Sequence, residues 1–130
     1  MRDHTKLTAF VLTDEVAILV YRVTAVFPKE EMYGLASQIR RAAISVPSNI
    51  VEGCARETQA DYLRFLYIAF GSLRELHYQI DLSKRLGFMH NQDSSLIEEK
   101  IVETEKVLNG LIRSLRDDRS PSASSLQPST

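Results

Sequence analysis

Cysteine, histidine and net charge are all scarce in this 130-residue chain, and each shortage removes a class of function. The single cysteine, Cys54, has no partner for an internal disulfide, so nothing implies an oxidising compartment. Of the three histidines, His4 sits near the start, His90 falls in a loop, and only His77 lies within a helical stretch. Glu75, two residues before His77, projects about 200° away from it on a helix. The Glu-x-x-His pairs on which a di-iron bundle is built are missing. Phosphate-cradling Gly-rich loops, Cys-x-x-Cys pairs and G-x-S-x-G elbows are missing too. No catalytic residue, cofactor or metal ligand is therefore assigned, and the chain reads as a non-enzyme. A net charge of −1 argues against a strongly basic nucleic-acid binder judged on global charge. Long apolar runs are lacking as well. The stretch from Val16 to Phe27 is broken by Arg22, follows Asp14 and Glu15, and carries neither a basic leader nor a cleavage site. A cytoplasmic protein with no membrane partner is the expectation.

What is present is the composition of an ordinary folded domain, 44% apolar and 25% charged. Four stretches carry helical periodicity and none alternates like a strand. The first runs from about Leu7 to Val26, with Leu12, Val16, Leu19, Val23 and Val26 as its seam, and Phe27-Pro28 ends it. The second runs from Glu31 to Gly53, with Leu35, Ile39, Ala42, Val46 and Ile50 on one face. It contains Pro47, which has no N–H for the carbonyl of Ala43 and costs roughly 3 kcal/mol in an ordinary helix interior. A bend is expected there, with Asn49 bonding the freed carbonyls. The third opens at a Thr58…Asp61 cap and ends at Leu86, where Gly87 supplies a left-handed residue. The fourth opens at a Ser95…Glu98 capping box and runs to about Leu115 along Ile97, Ile101, Thr104, Leu108 and Leu111. Steps of four and three with short connections predict an all-α, antiparallel up-and-down four-helix bundle over residues 1–116. Residues 117–130 are Ser/Pro-rich with little to bury and read as a disordered tail.

Helix three is apolar over more than one stripe. Tyr62, Leu66, Ala69, Leu73, Leu76 and Ile80 form the seam, and Leu63, Phe65, Phe70 and Leu82 widen it. The excess predicts a second buried face, most simply a contact between copies, with Phe65 and Phe70 as its test positions.

The charges are unevenly spread. Gln38 to Phe88 holds seven Lys/Arg against five Asp/Glu, and Met89 to Asp118 four against seven. Glu98, Glu99, Glu103 and Glu105 alternate with Lys100 and Lys106, the pattern of a solvated helix face. Cys54 beside Arg56 is either a thiol of lowered pKa or a small buried apolar residue, and the second fits better without a nearby histidine. Arg40 and Arg41 lie about 100° apart on a helix, so one flanks the seam and the other faces out. The inner one either pairs with Glu52 or Glu75 to set register, or joins its neighbour, Arg56 and Arg64 in binding phosphate.

These residues, from Phe27-Pro28-Lys29-Glu30-Glu31 and Tyr33-Gly34-Leu35 through Gln38-Ile39-Arg40-Arg41-Ala42-Ala43 and Ser45-Val46-Pro47-Ser48-Asn49-Ile50-Val51-Glu52-Gly53, resemble a known family. The likeness continues through Phe65 to Leu76 and Leu108-Asn109-Gly110-Leu111-Ile112. It is to the four-helix bundle proteins encoded within intervening sequences of bacterial large-subunit ribosomal RNA genes, and it suggests kinship with the accessory protein of diversity-generating retroelements. The resemblance implies a ring-like homopentamer and points to RNA or a nucleic-acid-processing protein as partner. Two departures stand out. Phe10 occupies a usual tryptophan position. The segment Cys54 to Asp61, often rich in Lys/Arg, here carries one base and two acids, which removes phosphate contacts. The expectation is a non-catalytic homo-oligomeric scaffold that binds RNA or a ribonucleoprotein through Arg40, Arg41, Arg56 and Arg64. The alternative is a protein-interaction adaptor without nucleic-acid affinity.

Overall fold

The computed structural model describes residues 2–119. Four helices account for most of them: α1 (Thr8–Thr24), α2 (Leu35–Cys54), α3 (Gln59–Arg85) and α4 (Asn91–Arg119). One-turn 3₁₀ helices precede α1 at His4–Lys6 and α2 at Lys29–Glu31. No strand occurs among the described residues.

Local chemistry explains most boundaries. Thr58 Oγ1 accepts the Asp61 N–H at 3.1 Å and starts α3. At its other end Gly87 takes φ +78°, a conformation a Cβ would strain. Phe88 N–H then reaches the Ser83 carbonyl and Gly87 N–H that of Lys84, the paired bonds of a Schellman cap. This tight reversal leaves so short a connection that α4 opens at Asn91, four residues before the expected Ser95. Ser94, not Ser95, turns inward: its N–H bonds the His90 carbonyl and its hydroxyl the Asn91 carbonyl. The helix also runs past residue 116 to Arg119, and the rest of the expected tail lies outside the described residues.

The core is aliphatic. Val16 and Val20 of α1 pack with Ile39, Val46 and Ile50 of α2, Leu66, Leu73, Leu76 and Ile80 of α3, and Ile97, Ile101, Leu108 and Ile112 of α4. Each such side chain contributes about 1.5–3 kcal/mol of burial. On α1 Leu12 and Val16 of the expected seam are buried and Leu19 and Val23 pack half-buried against the core, but Val20 and Thr24 take the innermost positions and Val26, past the helix, is 64% exposed. Thr24 reads as polar in sequence, but its hydroxyl bonds the Val20 carbonyl at 2.7 Å, which permits burial. Ser83 and Thr104 do the same on α3 and α4.

Cross-helix contacts give the arrangement. Gln59, Arg74 and Lys84 of α3 bond Leu115, Glu105 and Glu98 of α4, so positions rising along one meet positions falling along the other. Between α2 and α3, Ser45 Oγ meets Ser72 Oγ at 2.9 Å, and Gly53 faces Tyr62 and Phe65. Helix α2 continues through Pro47 as one element. Asn49 Nδ2 donates to the carbonyl and hydroxyl of Ser45, at 2.8 and 3.1 Å, and not to the Ala43 carbonyl that the proline leaves without its usual donor.

The width of α3 has an internal explanation. Wedged between α2 and α4, it buries Leu63 and Phe65 within the chain, and Phe70 packs half-buried against the same core. The exposed apolar side chains of α3 are Tyr67, Ile68 and Tyr78. On α1 and α2 they are Val11, Ile18, Tyr21, Ile44 and Val51.

Candidate nucleic-acid interface

The four arginines singled out from sequence fall into three environments. Arg56, in the turn after α2, and Arg64, on the second turn of α3, converge on one aromatic ring. Each guanidinium carbon lies 4.7 Å from the Phe65 ring centroid. Phe65 is 8% exposed beneath them, its ring covered within the chain by the two guanidinia. Arg2, which local sequence reasoning missed, joins this end of the bundle. Its guanidinium stacks 4.1 Å over the Tyr62 ring, and its Nη1 donates to the Arg56 carbonyl at 2.8 Å. Nothing local could have flagged a contact across 54 positions. Stacking of this kind is worth about 0.5–1 kcal/mol at an exposed site.

Acids accompany these cations. Glu52 lies 3.4 Å from Arg56 and Asp61 3.7 Å from Arg64, and all four side chains are at least 42% exposed. Such solvent-screened pairs are worth ~0–1 kcal/mol and exchange readily for a phosphate. Beneath the cluster Cys54 is buried, and burial pushes its thiol pKa up, against the lowered value that Arg56 alone suggested. Burial, with Cys54 beside it, likewise pushes the Tyr62 hydroxyl up to about 12. Both groups are therefore neutral at ordinary pH, and neither supplies an anion or a nucleophile there.

Arg40 is the inward member of its pair. Its Nε donates to Thr24 Oγ1 at 2.7 Å, its Nη2 reaches the Tyr21 carbonyl at 3.3 Å, and its guanidinium stacks 4.6 Å over the Tyr21 ring. It therefore closes the C-terminal turn of α1, where a cation complements the helix dipole. The expected Glu52 or Glu75 partner is replaced by carbonyl and hydroxyl acceptors, because α2 turns Arg40 toward α1, whereas Glu52 pairs with Arg56 and Glu75 stands on α3 across the groove from Arg41. Arg41 is exposed on the α3 side and has no ion pair or hydrogen bond among the described residues.

Glu98, Glu103 and Glu105 of the acidic run on α4 are drawn into pairs. Glu98 bonds Lys84 at 3.2 Å, Lys100 bonds Glu15 of α1 at 2.8 Å, and that bond holds the Lys100 pKa above its usual value. Glu105, its side chain only 11% exposed, accepts from Arg74 at 3.0 Å and meets His77 Nδ1 at 2.9 Å. The partner of His77 is thus on α4, where sequence spacing gave no hint of it. Among the described residues, no three His, Cys, Asp or Glu side chains are grouped to hold a metal ion, and no helix is long and apolar enough to cross a membrane.

The model of the 23S rRNA-intervening sequence proteins matches residues 5–110, from the first 3₁₀ turn well into α4. The chain belongs to this 23S rRNA-intervening sequence protein family. A comparison with curated proteins returns no match. Among solved structures, the chain is similar to a Bacteroides thetaiotaomicron protein from the S23 ribosomal protein family, described as of unknown function. The two share 23% identity and a TM-score of 0.75, over 81% of this chain and 95% of the other, a likeness of fold. The match to the intervening-sequence family takes in Arg40, Arg41, Arg56 and Arg64, whereas Arg2 precedes it.

Proposed function

We propose that this intervening-sequence family protein is a non-catalytic helical scaffold that self-associates and binds RNA. The observation that carries the RNA reading is the convergence of Arg2, Arg56 and Arg64 on the Tyr62 and Phe65 rings at one end of the bundle. Guanidinia held flat over aromatic rings offer phosphates a charged surface and unpaired bases a stacking plane. The family description, which names an intervening sequence of 23S rRNA, supports the same class of partner.

Self-association rests on Val11, Ile18, Tyr21, Ile44 and Val51, exposed on the neighbouring helices α1 and α2. A ring of five is what the family resemblance implies. Sedimentation velocity of the purified chain tests this. An oligomer that dissociates on Ile44→Glu supports the reading, and a wild-type monomer overturns it.

The RNA reading is tested by fluorescence anisotropy with labelled single-stranded and hairpin RNA, at low and near-physiological salt. Binding should weaken steeply with salt. Arg56→Ala together with Arg64→Ala should flatten the slope by roughly 0.7 per lost contact on a single strand. No binding at low salt would favour the adaptor reading, for which exposed Leu96 and Val102 on the acid-rich α4 supply a protein-facing surface.

A further inference from the structure

The groove between α2 and α3 has a construction that the arginine cluster at the bundle end does not share. Gln38, Arg41, Ala42 and Ser45 of α2 face Ser72 and Glu75 of α3 across a volume of about 450 Å³. That lies within the ~300–1,000 Å³ range of small-molecule sites. Its floor is formed by small side chains, Ala42 and the mutually bonded Ser45 and Ser72 hydroxyls. Its rim carries one exposed guanidinium and one exposed carboxylate.

Arg41 and Glu75 line one groove, yet no Arg41–Glu75 ion pair forms within 4.0 Å, although most other charges along α3 are paired. Glu75 has a single weak neighbour, Gln79 Nε2 at 3.4 Å, which steadies the carboxylate from one turn further on. Opposite charges that share a groove without closing on each other suit a planar ligand with acceptors on one edge and donors on another. Among the RNA bases guanine alone meets both demands in duplicate. Its O6 and N7 accept from a guanidinium fork, and its N1–H and N2 amine donate to the two oxygens of a carboxylate.

We propose that the α2–α3 groove is a guanine-base site, with Arg41 on the O6/N7 edge and Glu75 on the N1/N2 edge. It rests on the reading of this chain as an RNA binder and gives that reading base selectivity. The groove and the Phe65 cluster both draw residues from α2 or the turn after it and from α3. Ten residues separate Phe65 from Glu75, about 15 Å of helix, a length a few nucleotides of single strand span. Phosphate and stacking contacts then come from Arg56, Arg64 and Phe65, and discrimination from the Arg41–Glu75 gap.

The test uses the full chain and two probes. Saturation-transfer NMR with GMP, IMP and AMP reads the groove without requiring RNA binding. Anisotropy with a labelled single-stranded octamer, uridine apart from one central guanosine, inosine or adenosine, reads it in RNA. GMP should bind at least about tenfold tighter than AMP, with IMP between them because it lacks the N2 amine. Glu75→Gln and Arg41→Ala, both at exposed positions, should each abolish the preference in both assays. Equal binding of the three nucleotides, or a preference untouched by Glu75→Gln, overturns the groove while salt-sensitive RNA binding leaves the wider reading intact. Selective GMP binding without RNA binding keeps the groove and overturns the RNA reading. Failure of every probe overturns both.

Discussion

The α3–α4 seam and the α2–α3 face carry similar side chains and use them in opposite ways. Along the seam the charges are spent on the neighbouring helix. Glu105 gathers Arg74 and His77, and Lys84 reaches Glu98. Along the α2–α3 face, Glu52 and Asp61 pair only within their own turns, and Arg41 and Glu75 pair with no opposite charge among the described residues. The helices there are held by close approach and by small hydroxyls, with Gly53 against Phe65 and Ser45 against Ser72. A face held together without its charges keeps them available for something outside the chain. That contrast, more than net charge, distinguishes the candidate interface from the rest of the surface.

The contrast can be broken most forcefully at Gly53. A Cβ added there would stand 2.9 Å from Phe65 Cβ and 3.2 Å from the Tyr62 ring. Gly53→Ala should cost about 1–3 kcal/mol in urea unfolding. Gly110→Ala on α4, where nothing lies within 4 Å, should instead gain about 0.5–1 kcal/mol. Equal effects at the two glycines would mean that α2 and α3 are not held by contact at that point. Next in size is Glu105→Ala on the seam, expected to cost about 1–2 kcal/mol, because Arg74 and His77 recover part of their solvation once the carboxylate is gone. Arg41→Ala on the other face should stay within about 0.5 kcal/mol. A loss at Arg41 comparable to that at Glu105 would show that the open face is structurally closed after all.

A pH series sharpens the same comparison. Folding holds the Cys54 thiol above its usual value and the Tyr62 hydroxyl at about 12, so the native state keeps protons that the unfolded chain releases. The associated stability is fully present below about pH 9 and falls as pH rises through the Cys54 and Tyr62 ranges. In Tyr62→Phe the decline between pH 10 and 12 should be shallower. The difference in tyrosinate absorbance between the wild type and Tyr62→Phe should place the Tyr62 transition at about 12. A Tyr62 transition near the ordinary value of about 10 would mean that the Cys54–Tyr62 end is open to water. The smallest effect is expected at Pro47. Relief of the missing N–H offers up to ~3 kcal/mol, but a bend used by the fold would offset most of it. A full gain in Pro47→Ala with an unchanged oligomeric state would show that the fold uses no bend at this position.

Much of this was legible in the chain itself. The seams of α2 and α3 read correctly because Ile39, Val46 and Ile50, and Leu66, Leu73 and Ile80, follow the helical period without interruption. The seam of α1 was read correctly at Leu12 and Val16 but missed Thr13, Val20 and Thr24, two of them threonines that a count of apolar residues passes over. The breadth of α3 was legible but ambiguous, since a helix flanked on both sides within one chain looks in sequence like a helix flanked by a second copy.

Number and type of helices, the cap at Thr58 and the reversal at Gly87 are properties of the amino-acid sequence alone. They depend on interactions within a turn or two, between residues whose spacing is written along the chain. Whether Arg40 or Arg41 faces inward, that Arg2 reaches Tyr62, and that Glu105 joins Arg74 to His77 came from packing. Each depends on how one helix is rotated and shifted against another, and only the shared burial of all four sets those angles.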